Sequence, residues 1–128
     1  MGLDTYASRQ PDEIELSDED AAAFEAAAIR LCGGFWSGGD ASFRGKVYDD
    51  LIRDATGQSL YREWIPPEEV QAMAEALGAP TPEALAALSA EVDGQIDPSR
   101  AHSELECADL QAFFRLCADR GLGLIGWW

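Results

Sequence analysis

The last seven residues constrain this chain most. LGLIGWW places Leu122, Leu124, Ile125, Trp127 and Trp128 in a run without one charged side chain. Exposed, such a segment would aggregate, so it is expected to be a strand packed inside the fold. It can pair with the opposite end of the chain. In residues 2–8, GLDTYAS, Leu3, Thr5 and Ala7 alternate with Asp4, Tyr6 and Ser8. That period of two suggests a short strand with one face buried.

Between the two ends the pattern is helical. Pro11 ends the first strand, and Ser17 is placed to cap a helix from Asp18 to Ala28, with Asp20 three residues on as its capping-box partner. Phe24, Ala28 and Leu31 share one side of this helix, and Ile29 to Phe35 reads as a short strand or turn. Ser42 then caps a helix from Phe43 to Ala55, with Phe43, Val47 and Leu51 inward, Tyr48 and Ile52 beside them, and Gly57 as the stop. Leu60, Tyr61, Trp64 and Ile65 form a connector closed by Pro66 and Pro67, which start a third helix running to Leu77 on Val70, Met73 and Leu77. Thr81 and Pro82 open a fourth, with Leu85, Leu88 and Val92 inward. DGQIDPSR reads as a flexible loop. The last helix runs from Ser103 to Arg120 on Leu105, Leu110, Phe113, Phe114 and Cys117. The expected fold is α+β: one helix-rich domain over residues 1–128, with about five helices and a small sheet formed near the chain ends.

Charge narrows what such a domain can do. There are 24 acidic residues against 9 basic ones, a formal net charge of -15, and Lys46 is the only lysine. Residues 65–98 hold seven acids and no base. Such a surface either keeps the protein soluble or meets a basic protein partner. Direct nucleic-acid binding is disfavoured, because no basic run exists to neutralise phosphates. No apolar run approaches the roughly 20 residues of a membrane span. MGLDTYASRQPDE lacks the charged-then-apolar pattern of a secretion signal, so a cytoplasmic location is expected. Cys32, Cys107 and Cys117 are an odd number at irregular spacing, unlike a secreted disulfide framework.

The stretch Gly33–Trp64 draws attention as a candidate site. It combines the densest glycine cluster with Arg44, Lys46, Arg53 and Arg62. It is not a P-loop: five residues separate Gly39 from Gly45 instead of four, and Val47 stands where a magnesium-binding hydroxyl is needed. A weaker version survives, in which free N–H groups at a helix start, with Arg44 and Lys46, bind a carboxylate or phosphate. The candidate ligand-binding set is Trp36, Asp40, Arg44, Lys46 and Tyr61. Against it, Arg44 and Lys46 can simply pair with Asp40, Asp49 or Asp50. Trp36, Tyr61, Trp64, Trp127 and Trp128 could line a pocket or a binding hot spot, or fill a core.

Metal and catalytic chemistry find little support. Cys107 and Cys117 lie ten residues apart on one helix, about 15 Å along its axis, too far to share a zinc ion. His102 lacks the helical spacing that would face it toward Cys107. A Cys32–His102 pair could form only through the fold. Carboxylates are so abundant that no acid–base pair stands out. No metal and no cofactor are expected, and no catalytic residue is assigned.

MGLDTYAS, SFRGKVY followed by TGQSLYREWIPPEEV, and RGLGLIGWW together resemble a family of small, acidic, uncharacterised bacterial proteins. The resemblance spans nearly the whole chain. It implies a single-domain unit, nothing catalytic, and no residue roles. Three functions are open at this point: an interaction or regulatory module, of immunity or inhibitor type, that uses its acidic face against a partner; a small-molecule or anion-binding protein or enzyme with its site at Gly33–Trp64; and a nucleic-acid mimic. Oligomeric state is open.

Overall fold

A computed structural model describes residues 3–11, 16–29, 31 and 41–128. Strand β1 (Asp4–Ser8) is buried at all five positions, not on one face only as alternation suggested. It lies inside the sheet, flanked by a strand on either side.

Helix α1 (Asp18–Ala27) begins where expected, with Ser17 Oγ accepting from the Asp20 backbone N at 3.3 Å. The capping-box reading fails for the Asp20 side chain, which turns inward to Arg9 and Arg120. An aspartate is one methylene shorter than the Glu or Gln that reaches back to the cap in that motif. Ala28 adopts a left-handed conformation at φ 52° and is exposed, so it does not share the buried side of Phe24.

The next element departs from expectation. Ser42 and Phe43 form a short strand, β2 (Ser42–Phe43), and helix α2 (Gly45–Thr56) starts later, with Arg44 at its N-cap and no side-chain capping bond. Phe43 is held in register opposite Thr5, which keeps it extended. Gly45 then lets the helix start lie against β1, where a Cβ would come within 2.9 Å of Leu3 Cδ2 and overlap Thr5 Oγ1. The helix buries Tyr48, Asp49, Leu51 and Ile52, while Val47 is 40% exposed. With Phe43 outside the helix, the spacing of Tyr48 and Ile52 sets the inward stripe.

After β3 (Trp64–Ile65), α3 (Pro67–Gly78) buries Val70, Met73 and Leu77 as expected. Helix α4 (Pro82–Ser89) is capped by Thr81 and buries Leu85. It ends before Val92, which lies instead in strand β4 (Glu91–Val92), paired with β5 (Gln95–Ile96). The stretch read as a flexible loop is therefore a hairpin followed by a 3-10 turn at Pro98–Arg100. Asp93 and Gly94 supply its two left-handed residues, at φ 51° and 79°, and such a turn matches the natural strand twist.

Helix α5 (Glu104–Arg120) has a full capping box between Ser103 and Glu106 and buries Cys107, Leu110, Phe113, Phe114 and Cys117. Leu105, expected on that stripe, is 71% exposed. Strand β6 (Gly123–Trp127) completes an antiparallel sheet of order β2-β1-β6-β3. The chain ends thus pair directly, Thr5 with Gly126 and Ala7 with Leu124.

One sheet face carries Leu3, Ala7, Phe43, Ile65 and Leu124 into a core shared with Phe24, Phe113 and Phe114. Phe43 meets Phe113 edge-on, with ring centroids 4.9 Å apart. The described residues thus form five α-helices and a small sheet built near the chain ends, an α+β fold.

Candidate functional site

The start of α2 is the first place to look. Here the Lys46 backbone N donates to the Leu3 carbonyl at 3.2 Å, and the Val47 N donates to the Arg44 carbonyl at 3.1 Å. Two N–H groups that an anion would use are therefore already engaged. The Arg44 guanidinium lies 3.9 Å from the Asp4 carboxylate, and Lys46 is exposed with no ion pair among the described residues. Trp36 and Asp40, and with them the glycine cluster and Cys32, lie outside the described residues.

Tyr61 is not part of that corner. Arg44 follows β2 and Tyr61 precedes β3, and these are the opposite edges of the four-stranded sheet. Three inter-strand steps separate them, roughly 14 Å. The candidate set splits into a cationic corner and an aromatic edge.

At the aromatic edge Tyr61 is 39% exposed, Trp127 59% and Trp128 48%. The rings of Tyr61 and Trp128 meet edge-on at 5.7 Å. The apolar tail packs inside from Leu122 to Gly126, but its two tryptophans do not. Period-two geometry holds the signal for this. Adjacent side chains on a strand point to opposite faces, so a Trp-Trp pair at a strand end cannot bury both rings in one core. Next to these rings lies a cleft of about 430 Å³ lined by Pro11, Glu63, Ile125, Gly126, Trp127 and Trp128.

A second cleft, of about 270 Å³, runs between α2 and the start of α5 past Asp50, Ser89, Arg100 and His102. His102 is half-buried. Its ring lies 4.9 Å from that of Tyr48, and its Nδ1 is 3.6 Å from Glu106 Oε2. The Tyr48 hydroxyl donates to the same oxygen at 3.1 Å. Glu106 thus serves its cap with Oε1 and this aromatic pair with Oε2. Polar groups here satisfy one another: Ser89 Oγ donates to the Ala86 carbonyl and accepts from the His102 N, Ser99 Oγ donates to Asp97, and Arg100 pairs with Asp50.

Cys107 and Cys117 are poor nucleophiles. Burial, with Glu106 and Glu104 nearby, pushes the Cys107 thiol up to about 11. Burial and the Asp20 charge push Cys117 far higher. A thiolate is the reactive form, and neither residue provides one near neutrality. Among the described residues no group of three or more metal-binding side chains comes together, and no helix is long and apolar enough to cross a membrane.

In comparisons with protein-family models, with curated proteins and with solved structures, the chain matches none.

Proposed function

We propose that this protein is an interaction module, regulatory or inhibitor-like, that binds a basic protein partner. One observation supports the reading above the others. Glu68 and Glu75 on α3, Glu83 on α4, and Glu91 and Asp93 on the β4–β5 hairpin are all exposed, and none has an ion-pair partner among the described residues. Among the described residues, only Glu69 of the seven acids in residues 65–98 pairs with a base, Arg62. Asp97 is held by the Ser99 backbone and hydroxyl. An uncompensated acidic layer carries self-repulsion, and a basic partner relieves it while being steered in by the same field. By contrast, the engaged N–H groups at the start of α2 favour the anion-binding reading less.

Native mass spectrometry of the protein isolated gently from its host is the test. The expected result is a complex with a basic protein that re-forms from the two purified components. It should weaken by about tenfold or more as salt rises from 50 to 200 mM, and weaken further when Glu68, Glu75 and Glu83 are changed together to Gln. A bare monomer at the sequence mass would overturn the proposal. So would an added mass of a few hundred daltons with no protein partner, which would favour a small-molecule site.

A further inference from the structure

The aromatic edge has a chemistry of its own. Tyr61, Trp127 and Trp128 are exposed together at one end of the sheet. Trp128 sits close over Gly126, its ring 3.2 Å from where a Cβ would stand, and from there reaches Tyr61. Glu63 is exposed and is the only ionisable side chain among the described lining residues of the adjoining cleft. Across the sheet, Asp4 stands opposite Trp127 in register. Asp4 is buried, and its Oδ1, without a hydrogen-bond partner among the described residues, lies 3.9 Å from Arg44 Nε, so this carboxylate is already matched by a cation. Arg62 is adjacent in sequence, but its guanidinium is turned to Glu69 and Gln58. The described lining of the cleft therefore combines two indole rings with one carboxylate, with Tyr61 packed beside Trp128 and no cation among the described lining residues.

We infer that this edge receives an arginine side chain of the basic partner, an inference that rests on the interaction reading above. Indole faces attract a cation within about 6 Å of the ring. A guanidinium can stack on a ring and still offer a fork of donors to a carboxylate, whereas an ammonium is a more strongly hydrated point charge. A purely apolar partner would fit the rings but would strip water from Glu63 without replacing it. Exposed Trp and Tyr beside an acid are complementary to arginine, itself enriched among the residues that dominate interface energetics.

The test uses the intact protein and three short peptides, read by tryptophan fluorescence and calorimetry: alternating Gly and Arg, the same with Lys, and the same with citrulline, which keeps the shape without the charge. The Arg peptide is expected to bind about tenfold more tightly than the citrulline one, and more tightly than the Lys one. Trp128→Ala and Glu63→Gln should each weaken Arg-peptide binding several-fold, with Glu75→Gln on α3, which does not line the cleft, changing it less than twofold. The mutated side chains are exposed, so the folded state should survive; should Trp128→Ala fail to fold, Glu63→Gln and the citrulline comparison decide. Equal binding of the Arg and citrulline peptides would overturn the inference, as would indifference to both Trp128→Ala and Glu63→Gln. Salt-sensitive binding that ignores Trp128 but is lost with Glu68, Glu75 and Glu83 would leave the acidic layer as the interface and remove the aromatic one. Failure of every cationic peptide, with no basic protein complex, would remove both.

Discussion

Asp20, in the first turn of α1, accepts a 2.7 Å hydrogen bond from the Nε of Arg120, the last residue of α5 and 100 positions away. The same carboxylate receives two more bonds from Arg9, at 2.7 and 2.9 Å. It is fully buried, while both arginines reach solvent. One side chain thus ties the end of β1, the start of α1 and the end of α5.

This carboxylate should make stability fall in acid. Its bonds to Arg9 lower its pKa most, with help from Arg120 and Ser17, from 3.8 to about 2. A carboxyl group with a lowered folded-state pKa stabilises the fold above its unfolded value and loses that contribution as pH drops toward the folded one. Asp20→Asn should therefore cost about 2 kcal/mol at pH 7. The gap from the parent protein should close between about pH 4 and pH 2 in denaturant titrations. A gap independent of pH would contradict the assignment.

Asp49 should matter for a different reason. It is buried on α2, and its Oδ1 accepts from the Leu60 N at 2.7 Å and from Ser59 Oγ at 3.1 Å. Asp49→Ala leaves a buried donor unpaired and should cost about 1–3 kcal/mol, with faster amide exchange at Leu60. Asp49→Asn keeps an acceptor oxygen and should recover part of the loss.

Glycines in β6 should be intolerant for steric reasons. A Cβ at Gly126 would overlap the Arg62 carbonyl, and one at Gly123 would come within 2.5 Å of the Ile65 carbonyl. Ala at either position should lower stability by about 1–3 kcal/mol, as overpacking does. Gly94→Ala meets no neighbour but must hold φ 79°, so its cost, about 1 kcal/mol, should come from backbone conformation alone. Melting curves of the three variants separate the two causes.

On α5, Leu110→Ala should cost about 2–5 kcal/mol, since Leu110 is fully buried. Leu105→Ala should stay within about 0.5 kcal/mol. Equal losses at both sites would mean that Leu105 is covered by something other than solvent.

The helices of this protein are legible where a cap and a three-to-four pattern agree. Thr81 before Pro82 and Ser103 before Glu106 are such places, and so is the Val70, Met73, Leu77 stripe. The meeting of the two chain ends follows from an apolar tail that cannot remain in water. What the sequence hides is long-range. Nothing near Asp20 reveals Arg9 and Arg120 as its partners, although the shortness of Asp hints that it would not close a capping box. Phe43 fits a helical stripe locally and becomes a strand only because β1 is there to pair with it. Asp93-Gly94 is a strong hairpin signal that a reading as flexible loop passes over. The aromatic edge was half visible: Tyr61 and the tryptophans stand out by type, but their division from Arg44 and Lys46 depends on strand order.

Strand β6 lies inside the sheet, between β1 and β3. On the ribosome, β1 is made early and must wait for residues 123–127 before its longest partner exists. Until then its edge is unpaired, which is when β segments are most prone to stray association. Pairing across 121 positions, from Thr5 to Gly126, gives the sheet a high contact order, so it should close late and more slowly than the helices form. Like charge on the acidic surface is expected to keep nascent copies apart during that interval.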